Sequence, residues 1–258
     1  MKYGFLGAGH LASAVVFGLI KAGVQPDDIF VNSPASARSL ADKTGIHYAE
    51  EKQLIGDSDL IVLAFLPEQL KKIIQHLPAD CFQNKLIISF LGSTSLNELQ
   101  KSLPAAEIVR SLPNVNAEFD HSLTSIIFGS TISEKSKQLV KDFFNKIGSF
   151  VELPEKDFPA FSAIAGSGPA FVALFAQSLQ KAAINQGIDP ETALTISLKT
   201  LEGSTENLLS RQLLPNDLIK AVASPGGSTA DGIVSFEKDD FANIVNRAIL
   251  ATINHGTK

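Results

Sequence analysis

Two glycines and an alanine near the start of the sequence have the spacing of a turn that binds nucleotide phosphates. They are Gly7, Gly9 and Ala12, in the pattern G-x-G-x-x-A between a short apolar run and an apolar helical pattern. Gly7 permits the tight turn, Gly9 lets a pyrophosphate approach the backbone, and Ala12 lets the helix pack close to the strand. The phosphates would accept hydrogen bonds from free N–H groups at the helix N-terminus. The pattern predicts a dinucleotide site.

The run 224–229, Ser-Pro-Gly-Gly-Ser-Thr, is a second candidate for chemistry. Its adjacent glycines expose backbone N–H groups, hydroxyl residues flank them, and a helical pattern follows. Such a nest at a helix N-terminus binds anions, and a carboxylate suits it. A plain turn between two helices explains the residue types equally well, so both interpretations stay open. Arg110 is a third candidate, either as an anchor for a carboxylate or as half of a structural ion pair.

The end of the second predicted strand bears on which nucleotide is bound. In NAD-binding folds this position usually carries Asp or Glu for the ribose hydroxyls, and an acid there would repel a 2′-phosphate. This sequence has Asn32 and Ser33 instead, and a hydroxyl can donate to a phosphate. The residues therefore favour NADP(H), with NAD(H) as the alternative. Arg38 follows nearby and either pairs with that phosphate or is a solvated helix residue.

Alternating strand and helix patterns must position these residues. Apolar runs typical of buried parallel strands alternate with helical patterns up to about residue 153. This alternation predicts an α/β fold with an N-terminal Rossmann-type doubly wound sheet, whose ligands lie outside the carboxyl ends of the strands. After the opening run, strands are predicted at 29–33, 46–48, 57–65, 86–90, around 108–110, 124–128 and 150–153.

From residue 154 onward the pattern is all-helical, so we predict a second domain. The first domain, over 1–153, would bind NAD(P), and the second, over 154–258, would bind substrate and dimerise. The predicted helices are at 159–186, 190 to about 209, 215–222, 230–237 and 240–253. Their apolar faces exceed what one copy can easily cover, which predicts a homodimer through this half. A monomeric core packed on the sheet domain is the alternative.

Composition excludes several other classes of protein. The chain has 258 residues, of which 45% are hydrophobic and 19% charged, and its net charge is −5. Since it has no basic cluster, we expect no nucleic-acid partner. The single cysteine, Cys81, excludes an internal disulfide framework and is typical of a reducing compartment, so we expect a cytoplasmic protein. No later stretch looks long and apolar enough to span a bilayer, and the histidines lack ligand spacing, so neither a membrane nor a metal is expected.

Four motifs, in this order, resemble those of pyrroline-5-carboxylate reductases, which catalyse the last step of proline synthesis. They are the glycine turn at 7–12, Arg-x-Leu-Pro-Asn at 110–114, Ala-Gly-Ser-Gly-Pro-Ala-Phe at 165–171 and the run 224–229. The resemblance covers essentially the whole chain. It implies an N-terminal Rossmann domain that binds NAD(P)H and a helical C-terminal domain that forms an interlocked dimer. It also implies that such dimers often assemble further into decamers.

The resemblance implies roles for individual residues. The reaction would be hydride transfer to the C=N carbon of 1-pyrroline-5-carboxylate, and positioning and electrostatics suffice because a protonated imine is already electrophilic. Thr229 would be the catalytic residue, with its hydroxyl near the ring nitrogen. The implied substrate-binding residues are Ser224, Gly226, Gly227, Ser228 and Thr229. The implied cofactor-binding residues are Gly7, Gly9, His10, Leu11, Asn32, Ser33, Ala64, Leu66 and Pro67, with the corner 91–93 on the nicotinamide side.

The sequence also departs from the family pattern. Leu66 stands where lysine is common. Glu51 aligns with an asparagine that often meets the adenosine ribose, and an acid at this position weakens the argument for NADP(H) made from Ser33. The other departures are at 10–11, 91–93 and 115–116. These changes leave two alternatives open, namely a related reductase of another imino or keto acid and an NADPH-sensing regulatory protein without catalysis. The intact run 224–229 disfavours the sensor, because a sensor needs no substrate nest.

Overall fold

The computed structural model describes residues 1–78 and 80–255, and its chain divides into two compact units. The first unit is Met1–Ser167, and the second begins at Gly168. The division lies beyond residue 153, where the alternation of strands and helices ends, because the helical segment that follows packs against the first unit. Phe158 and Ala163 in this segment are 2% and 1% exposed.

An eight-stranded sheet forms the centre of the first unit, in the order β3-β2-β1-β4-β5-β6-β7-β8. The strands are β1 (Tyr3–Leu6), β2 (Ile29–Asn32), β3 (His47–Tyr48), β4 (Leu60–Leu63), β5 (Leu86–Ser89), β6 (Glu107–Leu112), β7 (Ser122–Phe128) and β8 (Gly148–Glu152). Strands β1 to β6 are parallel, β7 is antiparallel to β6, and β8 is parallel to β7. The chain order reverses beside β1, and such sheets bind ligands at that point. The predicted Rossmann-type sheet is confirmed.

Helices cover both faces of this sheet, since alternate residues of a strand point to opposite sides. The helices are α1 (His10–Lys21), α2 (Ala37–Thr44), α3 (Glu51–Asp57), α4 (Leu70–His76), α5 (Leu96–Ser102) and α6 (Glu134–Phe144). One core contains Phe5, Val31 and Val62 together with residues of α1, α2 and α6. The other contains Leu63 and Ile87 together with residues of α3, α4 and α5. Two buried layers therefore hold the strand ends in place.

The helical segment after the sheet is interrupted. Helix α7 (Phe158–Phe161) continues into a π-helical turn at Ser162–Gly166. There the N–H of Ser167 donates to the carbonyl of Ser162 at 3.1 Å, which is the i→i+5 bond of a π-helix. The helix predicted over 159–186 is present as part of one helical run, Glu155–Asn185, but the π-helical turn within it was not predicted because helical periodicity does not reveal a single π turn.

The second unit consists of helices with very little core. They are α8 (Gly168–Asn185), α9 (Pro190–Ser210), α10 (Pro215–Val222), α11 (Ser228–Lys238) and α12 (Phe241–His255). Among its described residues, only Ala176, Ala193 and Ser197 are buried. Large apolar side chains face outward instead, for example Leu198 at 49% and Leu209 at 70% exposure. This pattern agrees with apolar faces that another chain covers.

One helical run, Glu155–Asn185, is long and apolar enough to cross a membrane by length and composition. The expectation that no such stretch exists is therefore wrong. The mean hydropathy of its most apolar window is 1.5, and 11% of that window is buried. The run includes the π-helical turn, and its beginning packs into the first unit through Phe158 and Ala163. A single run of this kind is a weak indication of a membrane span, since an apolar helix that packs against protein passes the same test.

Candidate functional site

The glycine turn lies at the carboxyl end of β1 and leads directly into α1. Gly7 has a φ of +114°, and a Cβ at this position would lie 2.1 Å from the carbonyl oxygen of Ala64. The N–H of Gly7 donates to the carbonyl of Asn32 at 2.8 Å. The turn is thus hydrogen-bonded to the end of β2 and lies close against the backbone after β4. Since a side chain would collide with the backbone after β4, only glycine fits here.

Gly9 forms the open side of the same turn. It is exposed, and a Cβ built on it would meet no heavy atom within 4 Å. Helix α1 begins at His10, which is exposed, with no side-chain cap and no acidic residue in its first turn. The free N–H groups of such a helix end attract an anion. An open backbone cradle beside an uncapped helix N-terminus fits the pyrophosphate of a dinucleotide.

Close packing fixes the direction of α1. Ala12 is 1% exposed, and a Cβ on Gly18 would lie 2.1 Å from the carbonyl oxygen of Ala117. Ala117 belongs to a short 3₁₀ helix after β6, Val115–Phe119. The role of Gly18 was not predicted, because its neighbour lies far away in the sequence.

A cavity of about 430 Å³ opens at the carboxyl end of β2. Its lining includes Asn32, Ser33, Arg38, Tyr48, Glu50, Glu51 and Lys52. The guanidinium of Arg38 lies over the ring of Tyr48, 4.3 Å from the centroid. Arg38 is exposed on α2 and also lines the cavity, so its position agrees with both roles left open for it, a phosphate partner and a solvated helix residue. Lys52 was not predicted, because no sequence signal links the first turn of α3 to the end of β2.

Asn32 has a structural contact as well as a place in this cavity. Its side-chain N–H donates to the carbonyl of Ala49 at 2.7 Å. This bond joins the end of β2 to the residues that precede α3. Asn32 therefore shapes the cavity wall that carries Glu50 and Glu51.

The loops after β4 and β5 border a groove of about 650 Å³. Pro67 and Ser93 both line it, so the structure brings together two regions that were predicted on the nicotinamide side. Leu66 is 60% exposed, and its N–H donates to the side-chain oxygen of Gln69 at 3.2 Å. The groove also receives Lys101 from α5.

Arg110 lies on β6 beside the loop after β5 and is 8% exposed. One terminal nitrogen, Nη1, lies 2.5 Å from Oε1 of Glu155, and Nη2 donates to the carbonyl of Gly92 at 2.7 Å. The guanidinium carbon lies 3.7 Å from the ring centroid of Phe158. Burial lowers the pKa of Arg110, and the hydrogen bond and charge of Glu155 oppose that shift. The ion-pair alternative for Arg110 is therefore the one that the structure contains.

Asn114, at the end of the motif that contains Arg110, holds the π-helical turn. It is 7% exposed, and its side-chain N–H donates to the carbonyl of Ala165 at 2.9 Å. Its Oδ1 accepts the N–H of Asn116 at 2.9 Å. The motifs at 110–114 and 165–171, recognised separately in the sequence, are thus in direct contact.

In the second unit, the run 224–229 forms a tight turn at the N-terminus of α11. Gly226 has a φ of +73°, and the N–H of Gly227 donates at 3.0 Å to the carbonyl of the serine that opens the turn. Gly227 is the N-cap without a side-chain bond, so α11 begins at Ser228 rather than at the predicted residue 230. Ser228 and Thr229 therefore stand in the first helical turn, beside free N–H groups. This geometry agrees with either alternative for the run, an anion nest or a plain turn between two helices.

Thr229 also borders an apolar cavity of about 300 Å³. The other lining residues are Leu208, Pro215, Leu218, Ile219, Val222, Ala223 and Ile233. Asp231 is the acidic residue in the first turn of α11, and its negative charge opposes the positive potential of the backbone N–H groups there. Thr229 therefore stands in the first turn of α11 and also belongs to the lining of this apolar cavity.

Metal binding and thiol chemistry find no support among residues 1–78 and 80–255. No group of three or more His, Cys, Asp or Glu side chains within these ranges is placed to hold a metal ion. Burial raises the pKa of the Cys81 thiol, which keeps it protonated and poorly nucleophilic at neutral pH.

Two family profiles match this chain. One is described as pyrroline-5-carboxylate reductase dimerisation and matches residues 155–258. The other is described as NADP oxidoreductase, coenzyme F420-dependent, and matches residues 2–92. Together they cover the glycine turn and the helical second unit.

Similar proteins span the whole length of the chain. The pyrroline-5-carboxylate reductase of Aquifex aeolicus is 32% identical, over 100% of this chain and 97% of that protein. The crystal structure of Plasmodium falciparum pyrroline carboxylate reductase with NADP bound has a TM-score of 0.91 at 28% identity, covering 99% of this chain and 97% of that one. The 1-pyrroline-5-carboxylate reductase of Streptococcus pyogenes has a TM-score of 0.88 at 31% identity, with 99% and 98% covered.

Proposed function

This chain belongs to the pyrroline-5-carboxylate reductase family, and on that premise we propose that it reduces 1-pyrroline-5-carboxylate to L-proline with NADPH. When bound, NADPH supplies the hydride that converts the C=N bond of the substrate into the C–N bond of a secondary amine. The observation that carries this proposal is the fit of the glycine turn to a dinucleotide. Gly9 faces open space beside the uncapped N-terminus of α1, and Gly7 holds that turn against β4.

We assign the adenosine end of the cofactor to the cavity after β2. Ser33 supplies a hydroxyl, and Arg38 and Lys52 supply positive charge. A guanidinium binds a phosphate with two parallel hydrogen bonds, and its stacking on Tyr48 already orients it. NADH lacks the 2′-phosphate, so Arg38 and Lys52 would have only Glu50 and Glu51 as negatively charged neighbours in this cavity. The cavity therefore favours NADP(H), with weaker use of NAD(H).

The remaining cofactor contacts follow from the order of the strands. The backbone of Gly7, Gly9, His10 and Leu11 holds the pyrophosphate over β1. Asn32 shapes the wall on the adenosine side. Ala64, Leu66 and Pro67 follow β4, on the side of β1 away from β2, and border the nicotinamide. A dinucleotide laid across the crevice spans these strand ends in that order.

The substrate carboxylate binds the turn at the N-terminus of α11. The proposed contacts are Ser224, Gly226, Gly227, Ser228 and Thr229. The hydroxyl of Thr229 lies at the edge of this turn, where it can hydrogen-bond the ring nitrogen and orient the imine. Because a protonated imine is already an electrophile, orientation and electrostatics carry catalysis, and the turn needs no His, Lys or Cys.

The exposed helices of the second unit support a homodimer. Only three described residues of this unit are buried, and its sequence matches a dimerisation family. A second copy of the chain would cover the exposed faces of α8 to α12. The family resemblance implies that such dimers often assemble further into decamers, so a decamer is the larger assembly to test for. The single cysteine supports a cytoplasmic location.

The test is oxidation of NADPH and of NADH by purified protein with 1-pyrroline-5-carboxylate, followed at the nicotinamide absorbance, with proline measured as product. We expect rapid oxidation of NADPH, slower oxidation of NADH, and a large loss in Thr229→Ala. Protein that binds NADPH but oxidises it only with another imino or keto acid would favour the related reductase. Protein that binds NADPH and reduces none of these substrates would favour the regulatory sensor.

A further inference from the structure

Arg110 joins two segments that are distant in sequence. Its Nη2 donates to the carbonyl of Gly92 in the β5–α5 loop, which we define as residues 90–95, and its Nη1 pairs with Glu155. Glu155 lies after β8, in the segment that leads to the π-helical turn. The guanidinium also stacks on the buried ring of Phe158 in that segment. One buried side chain thus holds both segments from the middle of the sheet.

Glu155 holds the far end of the same loop. Its Oε1 accepts the N–H of Leu96, the first residue of α5, at 2.7 Å. The loop is therefore anchored at Gly92 by Arg110 and at Leu96 by the partner of Arg110. Ser95 and Glu98 form a reciprocal capping box at the N-terminus of α5, and this box fixes the backbone where the loop joins the helix.

The sheet order identifies what this loop faces. The pyrophosphate turn follows β1, and the adenosine cavity follows β2. Ligands of such sheets lie outside the carboxyl ends of the strands, so the other half of the dinucleotide lies over β4 and β5. The β5–α5 loop follows β5 directly, and Ser93 in it shares a groove with Pro67 from the β4 loop.

We propose that Arg110 is a positioning residue for hydride transfer. By holding the Gly92 carbonyl and, through Glu155, the start of α5, it fixes the wall against which the nicotinamide lies. This inference rests on the proposed function for the identity of the cofactor. Arg110 touches neither cofactor nor substrate in this role; it acts through the loop that it holds.

The test compares Arg110→Met and Arg110→Lys with wild type. We expect the single-turnover rate of hydride transfer to fall about 10- to 100-fold in Arg110→Met, because misplacement by about 1 Å costs that much. The Kd for NADPH should change less than about threefold, since the adenosine and pyrophosphate contacts lie on β1 and β2. The isotope effect with deuterated NADPH should rise as hydride transfer becomes slower. Arg110→Lys keeps the charge but not the planar fork, so its loss should be smaller.

A second readout does not depend on turnover. Hydrogen exchange in residues 90–95 of the cofactor-free protein should be faster in Arg110→Met than in wild type. Lys141→Met is the matched control, because Lys141 forms an ion pair with Glu152 at 2.7 Å and lies near the ring of Phe128, on elements without site residues. This control should leave both the rate and the exchange in residues 90–95 unchanged.

Three results would overturn the inference: an unchanged hydride-transfer rate in folded Arg110→Met protein, an equal loss in Lys141→Met, or unchanged exchange in residues 90–95. If Arg110→Met does not fold, Arg110→Lys and Glu155→Gln carry the same measurements, and unaltered rates in both would contradict the role. Inactive wild-type protein would instead refute the proposed function, and the exchange experiment would still decide whether Arg110 holds the loop.

Discussion

Gly9→Ala should weaken cofactor binding with little change in the stability of the protein. Gly7→Ala should weaken cofactor binding and also lower the stability. At Gly7 the φ of +114° is a region that costs an L-residue about 1–3 kcal/mol, and the new Cβ would overlap the Ala64 carbonyl at 2.1 Å. We therefore expect Gly7→Ala to lose at least about 2 kcal/mol of unfolding free energy. The turn must also move away from β4, so NADPH binding falls with it.

At Gly9 the same substitution meets no steric barrier in the free protein. Its φ of −74° and ψ of −176° suit any residue, and no heavy atom lies within 4 Å of the new Cβ. Alanine is a poorer N-cap than glycine, but it restricts the unfolded chain by about 0.4–1 kcal/mol, so the net change in stability should stay within about 1 kcal/mol. The Cβ instead occupies the space through which a pyrophosphate reaches the backbone.

The measurements are urea unfolding of both variants and titration with NADPH, followed by nicotinamide fluorescence. We expect Gly9→Ala to raise the Kd for NADPH about 10-fold or more, equivalent to about 1.4 kcal/mol. Wild-type affinity in Gly9→Ala would refute the assignment of the phosphate cradle. Wild-type stability in Gly7→Ala would refute the steric reasoning about the turn.

Three further predictions concern the cofactor preference, the substrate turn and pH. Arg38→Met should raise the KM for NADPH about 10- to 100-fold and leave that for NADH nearly unchanged, since only NADPH carries the 2′-phosphate; parallel increases would contradict this role. Thr229→Val, which replaces the hydroxyl by a methyl, should lower kcat about 10- to 100-fold, while Ser228→Ala should change it less; equal effects would argue against Thr229 at the ring nitrogen. Hydrogen bonds from the side chain and N–H of Thr192 lower the pKa of Asp189, the N-cap of α9. Its contribution to stability is therefore present above its unfolded pKa and lost as pH falls through the lowered value, and thermal unfolding of Asp189→Asn should show a weaker loss on acidification than wild type.

The sequence predicted the sheet well because its strands are buried on both faces. The run Leu60–Leu63 is apolar throughout, and Leu86–Ser89 is apolar except for its last residue, which is typical of parallel strands under two layers of helices. The direction of each strand in the sheet could not be predicted from these apolar runs. Strand β7 runs antiparallel to β6, and no apolar pattern encodes which way a buried strand runs.

Site residues could be predicted from the sequence where the local backbone conformation requires a particular residue type. Gly7 requires its positive φ, and Gly226 has one as well, so a glycine in a short motif was enough to predict both turns. Pairings across long sequence separations were not readable. Arg110 contacts Glu155, and Arg38 stacks on Tyr48, only after the sheet has formed. A single charged or aromatic residue in a sequence does not indicate which distant residue it will contact.

The leucine at position 66 changes where the positive charge for the cofactor must come from. The family resemblance leads one to expect lysine there, and Leu66 instead offers an exposed apolar side chain after β4. In the proposed binding mode, the pyrophosphate then relies on the N-terminus of α1, which is equivalent to about half a positive charge. Full positive charges stand at the adenosine cavity, on Arg38 and Lys52, beside the negative charges of Glu50 and Glu51. Cofactor affinity and the preference for NADPH should therefore reside in the same cavity, so a substitution there alters both together.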